Sequence, residues 1–225
     1  MKNKIFLRTV FIFYLLILPS LCLGYTFNAG APLFGQETDY WCGAASGQMI
    51  LSQGSVSKTQ TQVWDRIQIN KKDSLFYTDP DGLSQTLNDF DSMQWAVLSG
   101  AADSHDDVIE SLMESMVRYK RPAALLVNHG MHWVVWNSFV SDIDPLLGDA
   151  ELGSAGINDP WPVNLGEAYN LNETDFKTMF AINNYGLYSG SFVAVMPVPE
   201  PSTALLAGLA VLFLAFIRKK IVSAD

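Results

Sequence analysis

The stretch Gln36-Glu37-Thr38-Asp39-Tyr40-Trp41-Cys42-Gly43-Ala44-Ala45-Ser46-Gly47-Gln48-Met49-Ile50-Leu51 decides how this chain folds. A polar run passes a Tyr-Trp pair and then opens a helix, whose apolar side is read as Ala45, Met49 and Ile50. Cys42 stands where that helix begins. Unpaired backbone N–H groups and the positive end of the helix dipole stabilise a thiolate at such a position. Gly43 and the alanines after it leave room for a substrate backbone or another helix to come close. Gln36, six residues before the cysteine, carries a side-chain amide that can donate to the oxyanion of a tetrahedral intermediate. The Cys42 N–H would be the second donor. A lone cysteine is also commonly a small buried hydrophobe, so the choice between the two readings falls to the rest of the chain.

The two ends of the chain read as targeting segments. Lys2, Lys4 and Arg8 precede an apolar core over residues 10–18, and Cys22 and Gly24 take the small-residue positions of a signal-peptidase site. Cleavage after Gly24 would start the mature chain at Tyr25. Leu21 before Cys22 argues against a lipid-attachment site. Export would therefore leave Cys42 as the only cysteine in an oxidising compartment, with no partner within the chain, which moves it toward function. At the other end, Pro199-Glu200-Pro201 leads into an apolar run over residues 204–217 and then Arg218-Lys219-Lys220. That run is shorter than the roughly 20 residues of a stable membrane span, and the basic cluster would hold the end cytoplasmic. The arrangement resembles the sorting tail that exosortases recognise on exported proteins of Gram-negative bacteria. The resemblance implies an exosortase-type partner at Pro199-Glu200-Pro201, transient anchoring in the inner membrane through a short transmembrane helix, and delivery to the cell surface or extracellular matrix.

Residues 25–197 then form one domain of ordinary size. The chain has 14 Lys and Arg against 23 Asp and Glu. Lys2, Lys4, Arg8, Arg218, Lys219, Lys220, Glu200 and Asp225 lie in the end segments, which leaves 21 acids against 8 bases between them. Such a domain does not bind nucleic acid through charge. Its pattern begins helical. Helices are expected over residues 61–69, from a cap at Asp81, and, most clearly, over residues 104–119, where Ser104 and Asp107 resemble a capping box. A short strand is expected over residues 95–98. From Ala123 the period changes to that of strands, over residues 123–127, 132–140, 157–161 and 191–196, with a helix at 173–180 capped by Asn172 or Thr174. Residues 141–156 read as an acidic loop. Asp142, Asp144, Asp149 and Glu151 fit no calcium-loop spacing, and no metal or other cofactor is expected.

A cysteine nucleophile needs a histidine base, and the base needs an acceptor to orient it. His105 falls on the first turn of a helix and is expected to be exposed. His129 precedes a glycine in a turn. His132 heads a hydrophobic strand, where a sheet would fix its ring. It is read as the base, with His129 as the alternative. Asp159 is read as the third member and Asn158 as the runner-up, because adjacent strand residues face opposite sides and only one of the two can meet the imidazole. Gly43, Trp133 and Trp161 are read as binding substrate or shielding the site.

The order Gln36, Cys42, His132, Asp159 resembles that of the papain-like cysteine peptidases. The stretch Gln…Tyr-Trp-Cys-Gly-x-Ala, and the apolar strand between Arg121-Pro122 and His132-Trp133-Val134-Val135, are similar to the branch that processes double-glycine bacteriocin leaders. The resemblance covers residues 30 to 196. It implies an α+β fold in which an N-terminal helical part carrying the Cys helix packs on an antiparallel sheet carrying His and Asp. It also implies a Cys42 nucleophile, a His132 base, an Asp159 orienting acid and a Gln36 oxyanion donor. Trp41 precedes the cysteine and Gly43 follows it, whereas papain-type enzymes place an aromatic after it, which argues against a papain-like substrate preference. The expected activity is hydrolysis of a peptide or protein substrate. The alternatives are a triad amidase or acyltransferase on cell-wall amides, and a non-catalytic matrix protein using Cys42 for intermolecular pairing.

Overall fold

The computed structural model describes residues 24–200. The signal segment and the apolar run of the tail lie outside the described residues. Among the described residues no helix is long and apolar enough to cross a membrane.

After one short strand come three helices: α1 (Cys42–Gln53), α2 (Gln60–Asn70) and α3 (Pro80–Phe90). Helix α1 is buried on nearly every side, since Ala44 and Leu51 are as inaccessible as Ala45, Met49 and Ile50. Gly43 and Gly47 make that burial possible. A Cβ at Gly43 would overlap the Thr78 side chain, and one at Gly47 would lie 2.9 Å from a Val63 methyl. Helix α2 starts in a capping box between Thr59 and Gln62. Helix α3 is capped by Asp79, which accepts from Gly82 N–H at 3.2 Å, and not by Asp81 as the sequence reading expects. Pro80 then occupies the first helical position, where its missing N–H costs nothing.

The second half is a seven-stranded antiparallel sheet in the order β2-β7-β3-β4-β5-β6, with β1 on β4. The strands are β1 (Tyr25–Asn28), β2 (Gln94–Ala101), β3 (Ala123–Val127), β4 (His132–Ser141), β5 (Leu152–Asp159), β6 (Glu167–Asn172) and β7 (Ser191–Val198). Helix α4 (His105–Tyr119) connects β2 to β3, and α5 (Glu173–Met179) follows β6. Alternation along β3, β4 and β7 divides the core between two faces. Ala124, Leu126, Trp133, Val135, Val193 and Val195 pack on α1, α2 and α3. Leu125, Val134, Trp136, Ile157 and Ala194 pack on α4 and α5. The helices therefore cover both sides of the sheet.

Several expectations are corrected. Ser104 precedes α4, but its hydroxyl donates to Ala101 O at 2.8 Å and makes no cap bond, so there is no capping box. Strand β5 begins at Leu152, inside the stretch read as loop. Its Gly153-Ser154-Ala155-Gly156 segment lacks the branched residues that mark a strand, and small side chains are needed because a Cβ at Gly156 would overlap the Ser138 hydroxyl. Strands β1 and β6 were not expected from the pattern. Two acids of the preceding loop serve as turn acceptors. Asp142 accepts from Ile143 N–H and Glu151 N–H, and Asp144 accepts from Leu146 N–H. Tyr25 opposes Ser141 and Val198 opposes Gln94, whereas His132 opposes Val127. Both ends of the described chain thus leave the sheet at the end away from His132.

Candidate active site

Cys42 is a free, half-buried thiol at the first residue of α1, and Trp41 before it makes no side-chain cap bond. The Gln36 segment is tied down by backbone on one side and by α2 on the other. Gln36 N–H donates to Pro160 O and Asn164 N–H donates to Gln36 O, both at 2.8 Å. Buried Gln60 accepts from Glu37 N–H at 2.9 Å and donates to Gly35 O at 2.8 Å. The Gln36 side chain is itself buried, with one Nε2 hydrogen bonded to Thr38 O at 2.7 Å and an unpartnered Oε1.

Strand register decides which residues meet His132. Val135 opposes Asn158 and Trp136 opposes Ile157. Asp159 therefore has the parity of Val134, and His132 lies two residues earlier on the same face, at diagonal-neighbour distance. His132 Nε2–H donates to Asp159 Oδ1 at 2.7 Å. Asn158 faces the other way and donates to Ala31 O at 3.0 Å, anchoring the N-terminal segment, so the runner-up has no part in orienting the ring. The remaining ring nitrogen, Nδ1, is left for Cys42, whose thiol also raises the His132 pKa. Burial by itself would lower the His132 pKa. The bond to Asp159, together with the neighbouring Cys42 thiol and the Asp159 charge, outweighs it and pushes the value up to about 9.

Asp159 is held in turn. Its Oδ1 also accepts from Trp161 N–H at 2.8 Å, and its Oδ2 accepts from the Tyr169 hydroxyl at 3.2 Å. Tyr169 opposes Ile157 on β6, which makes it the same-face diagonal neighbour of Asp159. Burial first, and then the Asp159 charge, hold the Tyr169 phenol protonated far above its ordinary range.

Gln36, Cys42, His132 and Asp159 all line one cleft of about 530 Å³. Its rim is aromatic and apolar, with Tyr40, Leu75, Tyr77, Met131 and Tyr185 among the lining residues. Trp161 lies on this rim at 51% exposure. Trp133 reaches the cleft but is a core residue, only 2% exposed, with its indole N–H on Thr78 O at 2.9 Å. Gly43 is absent from the lining, and its lack of a side chain serves the close approach of Thr78. The two other histidines are elsewhere. His129 is exposed and bonds Ile182 O at 3.2 Å. His105 is partly buried and not exposed as expected, stacking on Phe192 with ring centroids 3.9 Å apart, and burial there lowers its pKa. Among the described residues no group of three or more His, Cys, Asp or Glu is placed to hold a metal.

Tyr169, Gln60 and Thr78 support this site without having been singled out from sequence. The one trace of Tyr169 is the alternation Tyr169-Asn170-Leu171, two residues short of a convincing strand.

The comparisons with known proteins agree with this geometry at the level of fold. The chain is similar to a double-glycine-motif protease from an AMS/PCAT transporter, solved with its leader peptide. The identity is 17%, the match covers 77% of this chain and 95% of that one, and the TM-score is 0.50. It is similar also to a protein from Bacillus anthracis described as a C39-like peptidase, with 14% identity, 78% and 98% coverage and a TM-score of 0.52. No curated protein matches the chain in sequence. Residues 197–220 match the PEP-CTERM protein-sorting motif, whose first two positions, Pro197 and Val198, are the last residues of β7. That motif marks the chain for export and sorting to the cell envelope. The domain has the papain-like fold seen in the double-glycine leader peptidases, and it passes directly into a PEP-CTERM sorting motif.

Proposed function

We propose that this protein is an exported cysteine peptidase that hydrolyses peptide bonds through Cys42, His132 and Asp159. The observation that carries the reading is the meeting, in one cleft, of a thiol at a helix N-terminus with an imidazole bonded to a carboxylate at 2.7 Å. His132 Nδ1 takes the Cys42 proton, and the thiolate adds to the peptide carbonyl carbon. The free hydrogen on Gln36 Nε2 and the Cys42 N–H hold the oxyanion. His132 returns the proton to the departing amine, leaving a thioester. Water, giving a proton to His132, then adds to the thioester and expels the thiolate. Asp159 keeps the ring in the tautomer this sequence needs and stabilises the imidazolium. The exposed aromatic rim, with Trp161 and Tyr40 on it, is where substrate side chains rest.

The location follows from the two ends. Residues 1–24 act as a signal peptide. Residues 198–225 hold the chain briefly at the inner membrane until an exosortase-type enzyme acts at Pro199-Glu200-Pro201. Turnover of an unfolded protein substrate by the purified chain, lost in Cys42→Ala and in His132→Ala, tests the activity. Release of cell-wall fragments with no cleavage of unfolded protein would replace the peptidase reading with an amidase. A Cys42-dependent dimer on non-reducing gels, inactive on both substrates, would replace it with a matrix protein.

A further inference from the structure

We infer that Tyr169 is a positioning residue that sets how much of the Asp159 charge reaches His132. The inference rests on the peptidase reading of Cys42, His132 and Asp159. Three donors share the two oxygens of Asp159. His132 Nε2 and Trp161 N–H both act on Oδ1, at 2.7 and 2.8 Å, and the Tyr169 hydroxyl alone acts on Oδ2, at 3.2 Å. The same hydroxyl has the Met179 sulfur as a second, weaker acceptor at 3.6 Å, and its one hydrogen goes to the charged carboxylate, the stronger acceptor. Its strand position fixes it diagonally opposite Asp159 in the β5–β6 ladder. The ionisable groups around this relay are Cys42 on α1, Asp39 in the loop before it, His132 on β4, Asp159 on β5 and Glu167 on β6. None of them replaces Tyr169 as a donor to Oδ2.

A carboxylate that accepts a third hydrogen bond is less basic, because the donor holds part of its charge. The imidazolium paired with it is then stabilised less, and gives up its proton more readily. That balance matters to a residue that must both take a proton from the thiol and return one to the leaving amine. Tyr169→Phe keeps the ring in the core and removes only the donor. The charge on Asp159 turns more fully to His132, and the imidazolium persists to higher pH.

The test is an NMR titration of the His132 imidazole in the full chain, for wild type, Tyr169→Phe, Asp159→Asn and the double variant. Tyr169→Phe should raise the His132 midpoint by roughly half a pH unit, the scale on which one neutral hydrogen bond shifts a paired group. Asp159→Asn should lower it, and Tyr169→Phe should add nothing in that background. Replacement of Tyr169 by 3-fluorotyrosine, a stronger donor of the same shape, should lower the midpoint, and gives a reading even where Tyr169→Phe fails to fold. A midpoint that Tyr169→Phe leaves unchanged or lowers, while Asp159→Asn still lowers it, overturns the role of Tyr169 alone. A midpoint that Asp159→Asn does not move overturns the peptidase reading beneath it.

Discussion

Two side chains carry most of the chemical argument at the scale of single residues. Gln36 has a backbone fastened to residues 160 and 164 and an amide with one hydrogen already used on Thr38 O. In the proposed mechanism the other hydrogen goes to the oxyanion. Gln36→Ala should lower kcat by about 10²- to 10³-fold and leave the pH profile of Cys42 alkylation unchanged, because it removes a donor to the intermediate and nothing from the thiol–imidazole pair. His132 makes a second prediction. Its pKa is about 9 in the folded protein against an ordinary 6.5, so the folded state holds the proton more tightly. The stability this confers is fully present below about pH 6.5 and is lost as pH rises through about 9. Melting curves of wild type and Asp159→Asn should therefore lie furthest apart near pH 6 and converge above pH 9. A separation that grows with pH would contradict the pairing.

Among the elements, α1 shows what burial requires of a sequence. Gly43 follows the cysteine because the Thr78 side chain occupies the space of its Cβ. Gly43→Ala should cost about 1–3 kcal/mol by overpacking, read as a lower Tm, whereas a substrate-contacting glycine would change KM with Tm unaltered. The elements that were legible in sequence are those with one strong period. Helix α4 has its Val108, Leu112 and Met116 stripe, β3 its unbroken apolar run, and β4 starts at His132 beside Trp133 and Val135. The elements that escaped carry little such pattern. Strand β6 is the outer edge of the sheet, exposed or half-exposed along its whole length, and β1 is only four residues paired to the far part of β4. The site was legible for a related reason. His132 starts a strongly patterned strand, Cys42 stands at a helix start marked by the Tyr-Trp pair before it, and a period of two limits the choice at 158 and 159 to one residue. Tyr169 stayed hidden because it reaches Asp159 from a strand that the pattern did not reveal.

For the whole molecule, the helical half and the sheet half meet at a buried charge. Arg121, at the start of the β3 run, bonds Asp91 after α3 and Gln53 at the end of α1, the latter at 2.6 Å, and its guanidinium lies over the Trp95 ring. Both partners of the ion pair are nearly inaccessible. Arg121→Ala leaves the buried Asp91 carboxylate without its counter-charge, with only the Met93 N–H and the Trp95 indole N–H as donors, and should cost about 3–5 kcal/mol in denaturant unfolding. Little or no change would mean that the halves are joined by apolar packing alone. The same organisation separates sorting from chemistry. The sorting motif begins in the last residues of β7, at the end of the sheet remote from His132, so the cleft and the point where the tail departs lie at opposite ends of the sheet.

In the proposed mechanism Cys42 and His132 act as one proton-sharing unit. The most direct measurement is the rate of Cys42 alkylation against pH, in wild type and in His132→Ala. Wild type should react at least about tenfold faster near pH 6, where His132 is an imidazolium, and the two rates should converge as pH passes about 9. Superimposable profiles across the whole range would contradict it.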